Sequence, residues 1–305
     1  MAFYPIGHII RSRREELGLT QEELADGICS VSTLSRIENN ERYPTKNHIE
    51  ILLQRLGYST ITQDFFSDGP ALRLSELKFK IRQAYLSRDM DQAAKWLKKL
   101  EGLVKPEPSV DYQFCILYRV LLDPDTMGPR EKLENLETAL AITCPSFRQG
   151  RPLRVLSFDE IVLLNSIAFC YNALGENGTA IRILSGVKEY YSHHIACGEE
   201  SLRTQPVILY FLSKYLAEEG DYSESIRISD MGIAIARETG RCILMYKTLG
   251  SRARARLQLG GEENKQAARQ DLLQAYRLAV ILENREDARE IAGYYREVFG
   301  ESPIE

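Results

Sequence analysis

The stretch that most constrains this chain runs from Gly18 to Asn39. It reads Gly18-Leu19-Thr20-Gln21-Glu22-Glu23-Leu24-Ala25, then a short turn, then Ser30-Val31-Ser32-Thr33-Leu34-Ser35-Arg36-Ile37-Glu38-Asn39. Thr20 can N-cap a first short helix, with Glu23 three residues on completing a capping box. Ser30 can cap a second. Leu24, Ala25 and Ile28 give the first helix one apolar edge, and Leu34 and Ile37 give one to the second. Two short helices so close together read as a helix-turn-helix. The outer face of the second carries Ser32, Thr33, Ser35 and Arg36, short polar side chains suited to base edges and phosphates.

The flanks complete a small domain over residues 1–58. A helix over 6–17 supplies Ile6, Ile9, Ile10 and Leu17, and Gly18 ends it as a left-handed cap. After the loop Asn39–Pro44, Thr45 can cap a fourth helix that buries Ile49, Leu52, Leu53 and Leu56. Residues 59–70 read as a linker that includes Phe65 and Phe66 and closes on Asp68-Gly69-Pro70. The connector Gly57–Pro70 reads as a hinge. Charge bears on how such a head could hold DNA. Residues 1–58 carry seven Lys and Arg against eight Asp and Glu, a net of −1, and the whole chain is −4. Binding must therefore come from placement, through Arg11, Arg36, Arg42, Lys46 and helix N-termini. A dimer would double that patch.

From residue 71 to 305 the pattern is helical throughout, so the fold class is all-α. Helices are expected in pairs: about 71–87 with 90–104, 111–122 with 130–142, 157–174 with 178–191, 200–219 with 222–238, and 241–259 with 264–282. The last pair needs extra residues in its turn, and a final helix covers 285–299. Gly175 and Gly220 punctuate two of these pairs, each followed five positions on by a small residue, Ala180 and Ser225. The six cysteines are scattered, without a Cys-x-x-Cys pair, and read as reduced core residues. His193-His194 lacks nearby carboxylates and reads as a loop, so no metal and no cofactor is expected. No apolar run approaches a membrane span, no leader is evident, and no P-loop, nucleophile elbow or metalloprotease helix occurs. The expectation is a cytoplasmic protein that is not an enzyme.

The first domain resembles the xenobiotic-response-element, or phage-repressor, class of helix-turn-helix. The matching residues are Arg14, Gly18-Leu19-Thr20-Gln21, Glu23-Leu24-Ala25, Leu34-Ser35-Arg36-Ile37-Glu38 and Tyr43-Pro44-Thr45. The resemblance implies DNA contacts from Gln21, Ser32, Thr33 and Arg36, backbone contacts from Asn40 and Arg42, and a structural ion pair between Arg14 and Glu38. The remainder resembles tetratricopeptide repeats, best over Leu164, Ile167, Ala168, Tyr171, Gly175, Ala180, Leu184 and Val187. That implies a right-handed α-solenoid whose concave side is lined by the first helix of each pair. The lining would comprise Asn165, Phe169 and Asn172, then Val207, Tyr210, Lys214 and Ala217, with Lys78, Arg82 and Tyr85 before and Lys247, Ser251 and Arg254 after.

The combination, in this order and length, resembles the peptide-responsive regulators of Gram-positive bacteria, the Rgg, PlcR, NprR and PrgX relatives. It implies a homodimer on a roughly palindromic double-stranded operator, controlled by a short signalling peptide held in the groove. The chemistry suits that role. Asn offers donor and acceptor to a peptide backbone, and Lys or Arg can hold a carboxylate. The cations Lys78, Arg82, Lys214, Lys247 and Arg254 alone suggest a ligand that is acidic or has a free C-terminus. An alternative keeps the DNA head but uses the repeats to dock a protein partner or to inhibit a signalling enzyme.

Overall fold

A computed structural model of the chain describes residues 6–58, 69–123, 126–145, 147, 155–193, 199–240, 242 and 244–303. Among the described residues the structure is α-helical, with short turns and no strand. The chain forms two compact units, Met1–Leu174 with Glu189–Ser201, and Gly175–Lys188 with Leu202–Glu305.

The first unit opens with α1 (Ile6–Glu16), α2 (Gln21–Ala25), α3 (Val31–Glu38) and α4 (Lys46–Arg55). The capping box forms as the sequence predicts: the Glu23 amide donates to Thr20 Oγ1 at 3.1 Å and the Thr20 amide donates to Glu23 Oε2 at 2.8 Å. Ser30 accepts from the Thr33 amide, Thr45 accepts from the His48 amide, and Gly18 takes φ +67°. Ile10, Leu24, Leu34, Ile37, Leu52, Leu53 and Leu56 pack as one buried cluster. Gly7 lets α1 reach the end of α3, since a Cβ there would sit 2.0 Å from the Ile37 carbonyl oxygen.

The same unit continues through α5 (Gly69–Leu86), α6 (Met90–Glu101), α7 (Val110–Leu122), α8 (Pro129–Leu140) and α9 (Phe158–Ala173), each packed on the next. Side-chain caps at Asp89, Ser109 and Ser157 start three of these helices. The second unit holds most of α10 (Asn177–His193), then α11 (Glu199–Glu218), α12 (Tyr222–Thr239), α13 (Met245–Leu259), α14 (Glu262–Ile281) and α15 (Arg285–Phe299). Gly175 and Gly220 take φ +80° and +85°, and Ala180 and Ser225 are fully buried. Ser225 explains the need for a small residue there: its hydroxyl donates to the Ser213 carbonyl at 2.7 Å, drawing α12 against α11. The α13–α14 turn is shorter than the sequence predicts. Gly260 and Gly261 make it alone, at φ +72° and +85°, so α14 begins at Glu262.

The head joins the repeats by more than the connector, most of which (59–68, with Phe65 and Phe66) lies outside the described residues. Helix α4 packs on α7, and Val155 enters the head's apolar cluster. Arg55, 2% exposed, donates to Glu160 at 2.9 Å, to the Thr143 carbonyl at 3.1 Å and to the Asp26 carbonyl at 2.6 Å. Glu160 is also the capping-box residue of α9, accepting from the Ser157 amide at 2.7 Å. Nearby, Lys78 of α5 pairs with Glu50 of α4 and, at 2.5 Å, with Asp111 of α7, which Lys46 approaches at 2.9 Å. The α2–α3 turn also bears on the repeats: Gly27, at φ +72°, leaves only enough room that a Cβ would lie 2.6 Å from the Thr143 carbonyl oxygen.

Burial alone would push these carboxylates up and the cations down; the opposite charges outweigh it. Glu160 is held below its ordinary value of 4.5 by Arg55, and Asp111 below 3.8 by Lys78 and Lys46. Arg55 and Lys78 are raised by their carboxylate partners. Removing one partner strands a buried charge, so Arg55→Met should cost about 3–5 kcal/mol in urea unfolding, and Arg55→Met with Glu160→Met together should cost less. Both acids have lowered folded-state values. Their stabilisation is complete above the ordinary carboxylate range and is lost as pH falls through the folded values. The urea midpoint should therefore hold from neutral pH and drop below about pH 4.5, less steeply in the double variant.

Candidate functional site

Helix α3 presents its outer face openly. Ser32 and Arg36 are exposed, Val31 is 44% exposed and Thr33 is half-buried with its hydroxyl against that of Ser30 at 2.9 Å. Arg36 sits 3.9 Å from Glu41, a loose exposed pairing that a phosphate could replace. Asn40, at φ +60°, turns the chain out of α3 and leaves Arg42 exposed beside it. Tyr43 is 79% exposed in the same loop, an aromatic that the sequence pattern used only as part of its match.

What fixes this face is the pair expected from the resemblance. Arg14 donates from Nε and Nη2 to the two oxygens of Glu38 at 2.7 and 3.0 Å, and from Nη1 to the Leu19 carbonyl at 2.8 Å. Gln21 donates to the same carboxylate at 2.8 Å. One buried carboxylate at the end of α3 thus ties α1, α2 and α3 together, and the bonded Glu38 raises the Arg14 pKa further. Gln21 is therefore oriented from within the head, at the start of α2.

In the second unit, the faces expected from α11 and α13 converge. Tyr210, Lys214 and Ala217 meet Lys247, Ser251 and Arg254 around a cavity of about 400 Å³. Tyr210 is half-buried, and burial raises its phenol pKa. The sequence reading missed the carboxylates there. Glu218 lies 3.7 Å from Lys214, Asp287 lies 3.4 Å from Lys247, and Glu290 lies 2.8 Å from Arg254. Asp287 also accepts from the Tyr246 hydroxyl at 2.6 Å, and Arg254 lies over the Tyr294 ring. Two of the three acids belong to α15, a helix that no first-helix pattern includes.

In the first unit, Asn165, Phe169 and Asn172 share one face of α9 by helical spacing. Phe169 is 50% exposed and Asn172 half-buried. The Asn165 side-chain oxygen is buried without a hydrogen-bond partner. Two groove candidates are placed differently from expectation. Lys78, only 5% exposed, is spent on Glu50 and Asp111. Arg82 grips both oxygens of Asp159, at 2.9 and 2.7 Å, between the Phe114 and Phe158 rings. Each is committed to a carboxylate, because a cation held away from water needs its counter-charge. Among the described residues no His, Cys, Asp or Glu group could hold a metal, and no helix is long and apolar enough to cross a membrane. His194 and the His193 side chain lie outside that description.

Residues 10–62 match the helix-turn-helix family HTH_3. No curated protein sequence matches the chain. Among solved structures, apo PlcR of Bacillus thuringiensis is similar at TM-score 0.58 and 16% identity, covering 94% of this chain and 98% of that one. PlcR bound to the peptide PapR7 and DNA aligns at 0.57 and 17%, covering 97% and 99%. ComR from S. thermophilus, with DNA and its signalling peptide ComS, aligns at 0.52 and 19%, covering 96% and 99%. The chain thus has the fold of these proteins, a helix-turn-helix head followed by tetratricopeptide-like repeats. Because one carboxylate holds three helices of the head, Arg14→Ala should cost about 3–5 kcal/mol in denaturant unfolding, while Arg36→Ala should stay within about 0.5 kcal/mol of the parent.

Proposed function

We propose that this chain is a cytoplasmic transcription regulator. It binds a roughly palindromic operator as a homodimer and is controlled by a short signalling peptide held by its repeats. The observation that carries the DNA half is the open polar face of α3, Ser32, Thr33 and Arg36, on a head whose helices are fixed from behind by Arg14 and Glu38. In this reading α3 enters the major groove. Gln21 contacts DNA from the start of α2, and Asn40 and Arg42 meet the phosphates. The head carries little net charge, so each basic contact matters to the salt dependence.

The sensing half is supported by two features. Asn165 lies on α9 beside Phe169 and Asn172, and its side-chain oxygen is a buried acceptor without a hydrogen-bond partner, the kind of group that marks a site open to rearrangement around a ligand. The cavity at Tyr210, Lys214, Lys247 and Arg254 has room for a few residues of an extended chain. PlcR and ComR, similar in fold, were each solved with a peptide and DNA. Peptide binding would favour one arrangement of the paired heads over another and so change operator affinity.

Selection of duplexes from a random pool should return two half-sites related by a dyad, and sedimentation should give a dimer; a single isolated half-site would overturn the dimeric arrangement. On the selected duplex, Arg42→Ala should weaken binding uniformly across sequences and reduce the salt slope by about 1. Arg36→Ala should cost about 1–3 kcal/mol and relax preference at one base position.

A further inference from the structure

The cavity of the second unit is not a positive groove. Its three cations, Lys214, Lys247 and Arg254, each face a carboxylate, Glu218, Asp287 and Glu290. We infer that this cavity selects a charge-balanced ligand: the end of a short peptide that carries one anionic group and one basic side chain. The inference rests on the peptide-sensing reading above and replaces the expectation, drawn from the cations alone, of an acidic ligand.

The distances show where each charge would go. Lys214 and Lys247 stand 3.7 and 3.4 Å from their partners, beyond the length of a made N–H···O bond, so a carboxylate brought between them improves on what they have. Glu290 makes one bond to Arg254 at 2.8 Å with its side chain 65% exposed, and it can turn to a cationic side chain. A wholly acidic segment would meet Glu218, Asp287 and Glu290 as well as the cations. A wholly basic one would meet the reverse. Like-charge juxtaposition rejects both, while a ligand of both signs exchanges partners without leaving a charge alone. Gly250 opens onto space: nothing lies within 4 Å of where its Cβ would be, and Ala217, Ala255 and Ile291 add apolar side chains to a lining that also carries Ser251 and Gln258. That gap takes the aliphatic part between the two charges.

The test is affinity selection with the full-length protein, presenting a randomised library of short peptides with free C-termini and sequencing those retained. Gly250→Leu, which fills open space on a helix, serves as the counter-selection after its melting curve is matched to the parent. The expected result is a retained set, lost on Gly250→Leu, in which an acidic group or the C-terminal carboxylate is accompanied by one Lys or Arg. Glu290→Gln, a surface change, should then weaken those peptides about tenfold and leave versions with the basic residue removed unaffected. A retained set that is Gly250-sensitive but uniformly acidic, or free of basic residues, overturns this inference and leaves peptide sensing standing. Retention of nothing, or of peptides indifferent to both Gly250→Leu and Asn165→Ala, overturns the sensing reading together with it.

Discussion

The helix-turn-helix head is held to its first repeats by buried charge, and the first unit depends on that compensation. Arg55 would be costly where it lies if it faced Glu160 alone. It survives because its donors also reach the Asp26 and Thr143 carbonyls, so the guanidinium is saturated as well as neutralised. Glu160 spends its remaining capacity on the first turn of α9. The same two residues therefore start a repeat helix, close the α2 end of the head and join the two. The Lys78 cluster repeats this logic on the other side of α4, with Glu50, Asp111 and Lys46. Such pairs contribute little net stability against an apolar alternative, but breaking one partner is costly, so they penalise any other seating of the head on the repeats.

Local chemistry was legible in the sequence. Thr20, Glu23, Ser30 and Thr45 cap as their types demand, and Gly18, Gly175 and Gly220 take the positive φ that their places at helix ends suggest. The helix pairs follow because each rests on spacing within a few turns. Charges were not legible in the same way. A Lys or Arg at helical spacing looks the same whether it lines a groove or neutralises a buried acid. Lys78 and Arg82 find their partners 28 and 77 residues away in the chain. The acids of the cavity were missed for the same reason: Asp287 and Glu290 come from α15, and nothing local to α13 announces them.

The head and the cavity use electrostatics in opposite ways. On α3 the exposed guanidinium is loosely paired, and under the proposed function it is available to a long-range partner whose charge is fixed, the phosphate backbone. In the cavity of the second unit each of the three cations already faces an anion, so net attraction is small and discrimination would come from matching. A regulator built this way would read its target by affinity modulated with salt, and its effector by pattern. The two recognition events would then respond differently to ionic strength.

Gly27 carries a consequence for anyone recombining such proteins. In an isolated head its turn would need only the positive φ, which Asn could approximate. Here the missing side chain is also the clearance for the backbone at Thr143. A chimera that grafts a related head with a larger residue at this corner would seat it askew on the repeats, however faithfully its DNA-contacting surface was copied. Exchange of heads in this architecture is limited at this corner by the space of a single side chain, in addition to the buried charges of the joint.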